Sequence, residues 1–170
     1  MTDFKLDTAL ASAAQRRRPV RTVAASGRIY FWQSGSLWIG QGRGRSEWHE
    51  HHAHQLALAL QGNFRFRADR NGVWTEYTAT VVPSHCAHEF ELEGASVAHL
   101  FVEPESTEGR ALSMQFGAGG LAALPVAPAR AAAALLREAL QGHADAEAMK
   151  ATARAAVALL AGTAGPVPAS

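Results

Sequence analysis

Cysteine is almost missing from this chain. Cys86 is the only one in 170 residues, so no disulfide can form within the chain and a cysteine-based zinc site is excluded. Long apolar runs are missing as well. No stretch approaches the ~18 apolar residues that a membrane-spanning helix needs. The opening, MTDFKLDTALASAAQRRRPV, lacks the order of a signal peptide, in which a basic start precedes an apolar core. These absences set the expectation of a cytoplasmic protein with no membrane partner. An excess of one charge is lacking too. The formal net charge is +1, so no strong overall field draws the chain to nucleic acid. Lysine is confined to Lys5 and Lys150, and the arginine bias carries no functional meaning here.

The rest of the composition is that of an ordinary globular domain, 48% hydrophobic and 18% charged. Residues 1–20 have few large apolar side chains and end in RRRPV, which reads as a flexible arm. The cluster Arg16 to Arg18 with Arg21 reads as a solvated tail sooner than as a DNA contact. From 21 to 112, short β-prone runs such as RIYFW, SLWIG, NFRFRA and SVAHLFV alternate with turn residues. Asn71-Gly72 between two such runs is a hairpin signal. About eight closely spaced strands leave no room for helical crossovers, so an antiparallel barrel or sandwich is expected. Residues 113–128 are rich in Gly and Pro and read as a loop. A helical pair is expected over 129–163, with Asp145 capping the second helix. On that helix Met149, Ala153, Ala156 and Leu160 form one apolar stripe, suited equally to covering the barrel or to pairing with a second copy.

The segment WHEHHAHQLALALQG, residues 48 to 62, carries four of the eight histidines. Read as one strand, its side chains alternate faces. His49, His51, Ala53, Gln55, Ala57 and Ala59 would share one face; His52, His54, Leu56, Leu58 and Leu60 the other. The first face looks like one wall of a ligand cavity, since polar side chains among small ones need partners. The leucine face needs a cover, supplied by the helices or a partner subunit. Imidazoles two apart on a strand can share one ion, and His85, His88 or His99 could bring a further ligand. Unconnected surface histidines remain the alternative.

The spacing resembles the cupin superfamily. Its first motif is matched by Gly44, four residues, His49-x-His51, three residues, Gln55, six residues and Gly62. Its second motif is matched by Pro83 and His88. Gln55 stands where the motif has a liganding glutamate, His85 where it has a glycine, and Tyr77 and Leu92 replace its first glycine and its asparagine. The ordered series HEHHAHQLALALQGNFRFR, VVPSHCAHEFELEG and AHLFVEPESTEGRAL further resembles the N-terminal sensor domain of AraC-type transcriptional regulators, over about residues 28 to 112. This resemblance implies a cupin-type β-barrel, of the double-stranded β-helix or jelly-roll kind, followed by two α-helices.

It also implies the function: a small-molecule-sensing, dimerising domain whose ligand meets His49, His51, Gln55, His88 and His85. A divalent metal (Zn, Fe or Ni) could sit on His49, His51 and His88, with Gln55 as a weak fourth group. A neutral amide supplies less to a cation than a carboxylate, so the expectation leans to a metal-free or weakly metal-binding pocket. The expected partners are a small-molecule effector and a second copy of the chain. The helix-turn-helix region of such regulators has no counterpart here, so direct DNA binding is not expected. The alternative is a metal-dependent cupin enzyme of dioxygenase or isomerase type. No acid–base pair is evident for it, and Cys86 reads as a buried, inert thiol.

Overall fold

The computed structural model describes residues 23–164; the expected arm, residues 1–20, lies outside them. Eleven elements follow in order: β1 (Ala24–Trp32), β2 (Gly35–Arg45), β3 (His54–Gln61), β4 (Phe64–Arg67), β5 (Thr75–Tyr77), β6 (Ala79–Val82), β7 (Glu89–Val102), α1 (Thr107–Phe116), β8 (Ala122–Ala123), α2 (Val126–Gln141) and α3 (Ala146–Ala161). Every strand pairing is antiparallel, with the sheet order β1-β2-β7-β3-β6-β8 and β4 joining β7 and β5. No described helix is long and apolar enough to cross a membrane.

β7 organises the barrel. It is one strand of 14 residues that bends at the EGA segment, residues 93–95. Gly94 sits at φ +92°, a region that only glycine enters cheaply. Residues before the bend pair with β4, those after it with β3, and β2 follows both halves. Its partners shift register at Gln41/Arg43 and at Ala59/Gln61. Such irregularities increase local twist and let a sheet curl on itself.

Two cores result, one on each face of β3. Leu56, Leu58 and Leu60 join Val81, Leu100 and Leu112 beneath the helices, where Leu136, Met149 and Leu160 also lie. Ala57 faces the barrel interior with Phe64, Phe66, Val82, Leu92 and Val97. Alternation along β3 thus separates a helix-covered face from a hollow-facing one. The apolar stripe of α3 is used within the chain: Met149, Ala153, Ala156 and Leu160 are all buried in the first core.

The helical expectations differ in detail. α2 begins at Val126, inside the segment read as a loop, because Pro128 falls in its first turn, where a missing N–H costs nothing. Two further residues of that segment form β8 against β6. Asp145 caps α3, its carboxylate accepting from Ala148 N at 2.8 Å. α1 fills the stretch ESTEGRALSMQF, with Ser106 Oγ accepting from Gly109 N at 3.0 Å. Gly109 is needed for closeness: a Cβ there would lie 1.9 Å from the Glu103 carbonyl oxygen.

Candidate metal and effector site

The histidine segment is not one strand. β3 begins only at His54, and residues before it leave the sheet as a loop held by one bridge, His49 to His88. His85 N also donates to His51 O at 2.9 Å. The loop thereby lays His49 and His51 against the proline turn that carries His88. Ring centroids of His49 and His88 are 4.4 Å apart, those of His51 and His88 5.1 Å, and those of His49 and His51 5.6 Å. One ring nitrogen from each lies within 4.8 Å of the others.

Backbone contacts set the tautomer of all three rings. Nδ1 of His49 meets Glu47 O at 2.7 Å, Nδ1 of His51 meets Ala53 O at 2.8 Å, and Nδ1 of His88 meets Cys86 O at 2.8 Å. A carbonyl only accepts, so each Nδ1 carries the proton and each Nε2 keeps a lone pair. Metal-binding imidazoles are commonly oriented in this way, by a hydrogen bond from the nitrogen that does not bind. Burial pushes His88 down to about 4, with the Cys86 carbonyl opposing and nearby charge on His49 or His51 adding to the fall. His88 is therefore neutral at neutral pH.

Gln55 completes the arrangement from β3. Its Oε1 lies 3.0 Å from His51 Nε2 and 3.2 Å from His88 Nε2, and its Nε2 donates to His99 Nδ1 at 2.6 Å. His99, on β7, is buried between Trp38 and Phe90, with ring centroids at 5.6 and 5.4 Å. Burial, then charge on His88 and His51, holds its pKa down to about 4. Its Nε2 is buried without a hydrogen-bond partner among the described residues. Phe66 stacks on His88, and Phe101 meets His51 edge-on. Three imidazoles and an amide oxygen thus come together beside an aromatic wall. This donor set, rich in nitrogen and without formal charge, fits zinc, nickel or iron.

The other histidines are placed elsewhere. His85 lies outside the cluster, exposed, at φ +57°. Its backbone adopts the left-handed turn for which glycine is the usual residue, and its ring reaches His52 Nδ1 at 3.1 Å. His52 in turn reaches Glu105 Oε1 at 2.7 Å. His54 points to the helix side, where its Nε2 donates to Gly109 O and Ser113 Oγ at 3.1 and 2.8 Å. Its Nδ1 accepts from Ser84 N at 3.0 Å, so it ties α1 to the proline turn.

One feature beside the site has no signal in the sequence. Arg45 and Arg67 both stack on Trp74, with guanidinium carbons 4.9 and 4.6 Å from its ring centroid. Both pair with Glu89, the neighbour of His88, at 3.2 and 2.5 Å. Burial pushes the Glu89 carboxyl up, and hydrogen bonds from the two arginines more than offset that, leaving it below its ordinary value. Side chains this far apart along the chain give no local pattern to read.

No family profile and no curated protein matches the chain. Solved structures do. An AraC-like transcriptional activator, CuxR, aligns at 17% identity over 87% of this chain and 58% of its own, with a TM-score of 0.54. The chain thus spans little more than half the length of that protein. KdgF from Halomonas sp. aligns at 20% identity over 52% of this chain and 84% of its own, TM-score 0.39. A cupin-2 domain protein from Shewanella frigidimarina aligns at 14% identity over 46% and 79%, TM-score 0.36. With both histidine motifs meeting across an antiparallel barrel and helices closing its outer face, the chain has the cupin fold, and an AraC-like activator shares it along most of the chain's length.

Proposed function

We propose that this chain is a small-molecule-sensing cupin domain of the AraC-regulator type, with a divalent metal ion at the heart of its effector site. His49, His51 and His88 would hold the ion through Nε2, with Gln55 Oε1 as a fourth group. The ion would supply a Lewis-acidic anchor for an oxygen or nitrogen atom of the effector. The observation that carries this reading is the locking of three Nδ1 atoms onto backbone carbonyls, which leaves each Nε2 its lone pair, with one ring nitrogen of each histidine within 4.8 Å of the others. Imidazoles oriented through Nδ1 in this way are the arrangement that nitrogen-binding metals use.

The sensing role draws support from the shared fold with the AraC-like activator. Signalling would be a population shift in which effector-bound protein favours one arrangement of the barrel against its neighbours. The expected partners are the effector and a second copy of the chain. Leu135 and Leu140 of α2, 36% and 39% exposed, are apolar positions that a second copy could cover.

The test is metal analysis of protein purified without added metal. About one equivalent of zinc, iron or nickel is expected, lost on changing His49 and His51 to alanine. Metal-loaded protein should gain thermal stability from members of a small-molecule library. Protein that takes up no metal would overturn the metal part. Turnover of a library compound would favour the metal-dependent enzyme instead.

A further inference from the structure

Among the described residues, Nε2 of His99 is the one buried side-chain nitrogen or oxygen without a hydrogen-bond partner. His99 is 4% exposed, and its other ring nitrogen is already engaged by Gln55, at 2.6 Å. An imidazole nitrogen either donates or accepts, so Nε2 calls for a partner in either tautomer. A buried polar atom left alone is costly, and folded proteins keep few of them.

The surroundings of His99 say what kind of partner fits. Strand register sets Trp38 of β2 and Ala57 of β3 directly opposite it, with Ile29 of β1 beyond Trp38. Residues opposed in this way share one sheet face, and Ala57 and Trp38 belong to the core inside the barrel. The rings of Trp38 and Phe90 flank that of His99. One row nearer the imidazoles, the same register sets Phe31 in line with Phe101 and Gln55. At the edge strand, Ile29 and Phe31 are 39% and 68% exposed, so this apolar face runs out to the rim. An apolar, aromatic wall with a few well-placed polar groups is the usual lining of a small-molecule site. Here the polar groups are the imidazole cluster at one end and His99 Nε2 within the wall. Gln55 spans the two, with Oε1 on His51 and His88 and Nε2 on His99. His99 thus stands one amide away from the cluster, a separation that a single six-membered ring can bridge.

We infer that the effector is a hydroxylated aromatic acid, with its carboxylate on the ion at His49, His51 and His88, its ring against Trp38 and Phe90, and its hydroxyl on His99 Nε2. This rests on the metal reading of the site. Each part follows from the chemistry of its place. Imidazole and amide ligands carry no charge, so a divalent ion among them keeps its positive charge and favours an anionic oxygen. Flat rings pack well against Trp38 and Phe90, edge-on or offset. A hydroxyl both donates and accepts, so it pairs with Nε2 whichever tautomer His99 adopts.

Protein NMR of the zinc-loaded full chain tests this, once calorimetry has counted the zinc bound. The probes are 3- and 4-hydroxybenzoate, benzoate and cyclohexanecarboxylate. One of the hydroxybenzoates should bind at least about tenfold more tightly than benzoate and should shift the Trp38 indole signal. Cyclohexanecarboxylate, which is not flat, should bind severalfold more weakly than benzoate. His99→Phe keeps a flat ring and should erase the advantage of the hydroxyl. Because the readout is a ratio within one variant, a change in zinc affinity does not imitate it. Trp38→Ala should weaken benzoate and the hydroxybenzoates alike, leaving their ratio as in the wild type. If zinc binds and the hydroxyl brings no advantage, or keeps it in His99→Phe, the inference is overturned and the metal site stands. The same holds if none of the probes binds, or if cyclohexanecarboxylate matches benzoate. If the chain binds no zinc, both fall together.

Discussion

His49 and His88 exchange both of their backbone hydrogen bonds, His49 N to His88 O at 3.0 Å and His88 N to His49 O at 2.9 Å. In an antiparallel pair, residues joined in this way carry their side chains on one face. This single bridge puts two imidazoles from distant parts of the chain side by side. His51 then needs only two further residues of loop to reach the same point.

Loss of His88 should remove the site. His88→Ala is expected to lower zinc affinity by more than the about 100-fold that a change behind a metal ligand can cost. Isothermal calorimetry checks this, with His85→Ala as the control. Because His85 lies outside the three-ring cluster, that variant should bind zinc like the wild type.

Acid should destabilise the chelator-treated protein well before carboxylates titrate. His88 and His99 are held to about 4 in the folded chain against 6.5 when free. The unfolded chain therefore binds protons first as the pH falls. The stabilisation from keeping these rings neutral is complete above pH 6.5 and declines as the pH drops toward 4. At full effect it amounts to roughly 3 kcal/mol per ring. Urea unfolding at pH 7, 6 and 5 should show the decline, with a smaller slope in His99→Phe. A stability independent of pH over that range would mean that the two rings are not held neutral.

Gly109→Ala tests the seating of α1. Alanine is worth up to about 1 kcal/mol more than glycine within a helix. Here its Cβ would meet the Glu103 carbonyl oxygen at 1.9 Å, and overpacking of that kind costs typically 1–3 kcal/mol. Net destabilisation is expected in thermal melts, and a higher melting temperature would show that α1 can shift outward freely.

Removal of residues 129 to 170 should unfold the barrel and not merely lower its oligomeric mass. Leu136, Met149 and Leu160 cover Leu56 and Leu58, so truncation would expose the leucine face of β3 to water. Circular dichroism of the truncated chain checks this. For the same face, Leu58→Asp should cost several kcal/mol, because the carboxylate would be buried without a partner.

Much of the molecule could be read before its structure. The alternation of β3, with Gln55 and Ala57 inward and Leu56 and Leu58 outward, follows from the two-residue period of a strand. Asp145 as a cap and the stripe on α3 follow from helical spacing and capping chemistry. The pairing of the His49–His51 segment with the Pro83–His88 turn was legible through a resemblance, and not through any local property. His85 shows where such matching stops. It occupies a motif position that demands a left-handed backbone, whereas its side chain points out to His52 and Glu50.

The sequence by itself determined the period of each element, the small and polar face of β3, and the supply of imidazoles. These depend on residues within a few positions of one another, where backbone geometry is enough. Only the tertiary structure decided which nitrogen of each ring carries the proton, that the α3 stripe is spent on its own barrel, and that His99 stands behind Gln55. Those outcomes depend on carbonyls, helices and strands brought together across the barrel, and no local pattern encodes a contact made between separate elements.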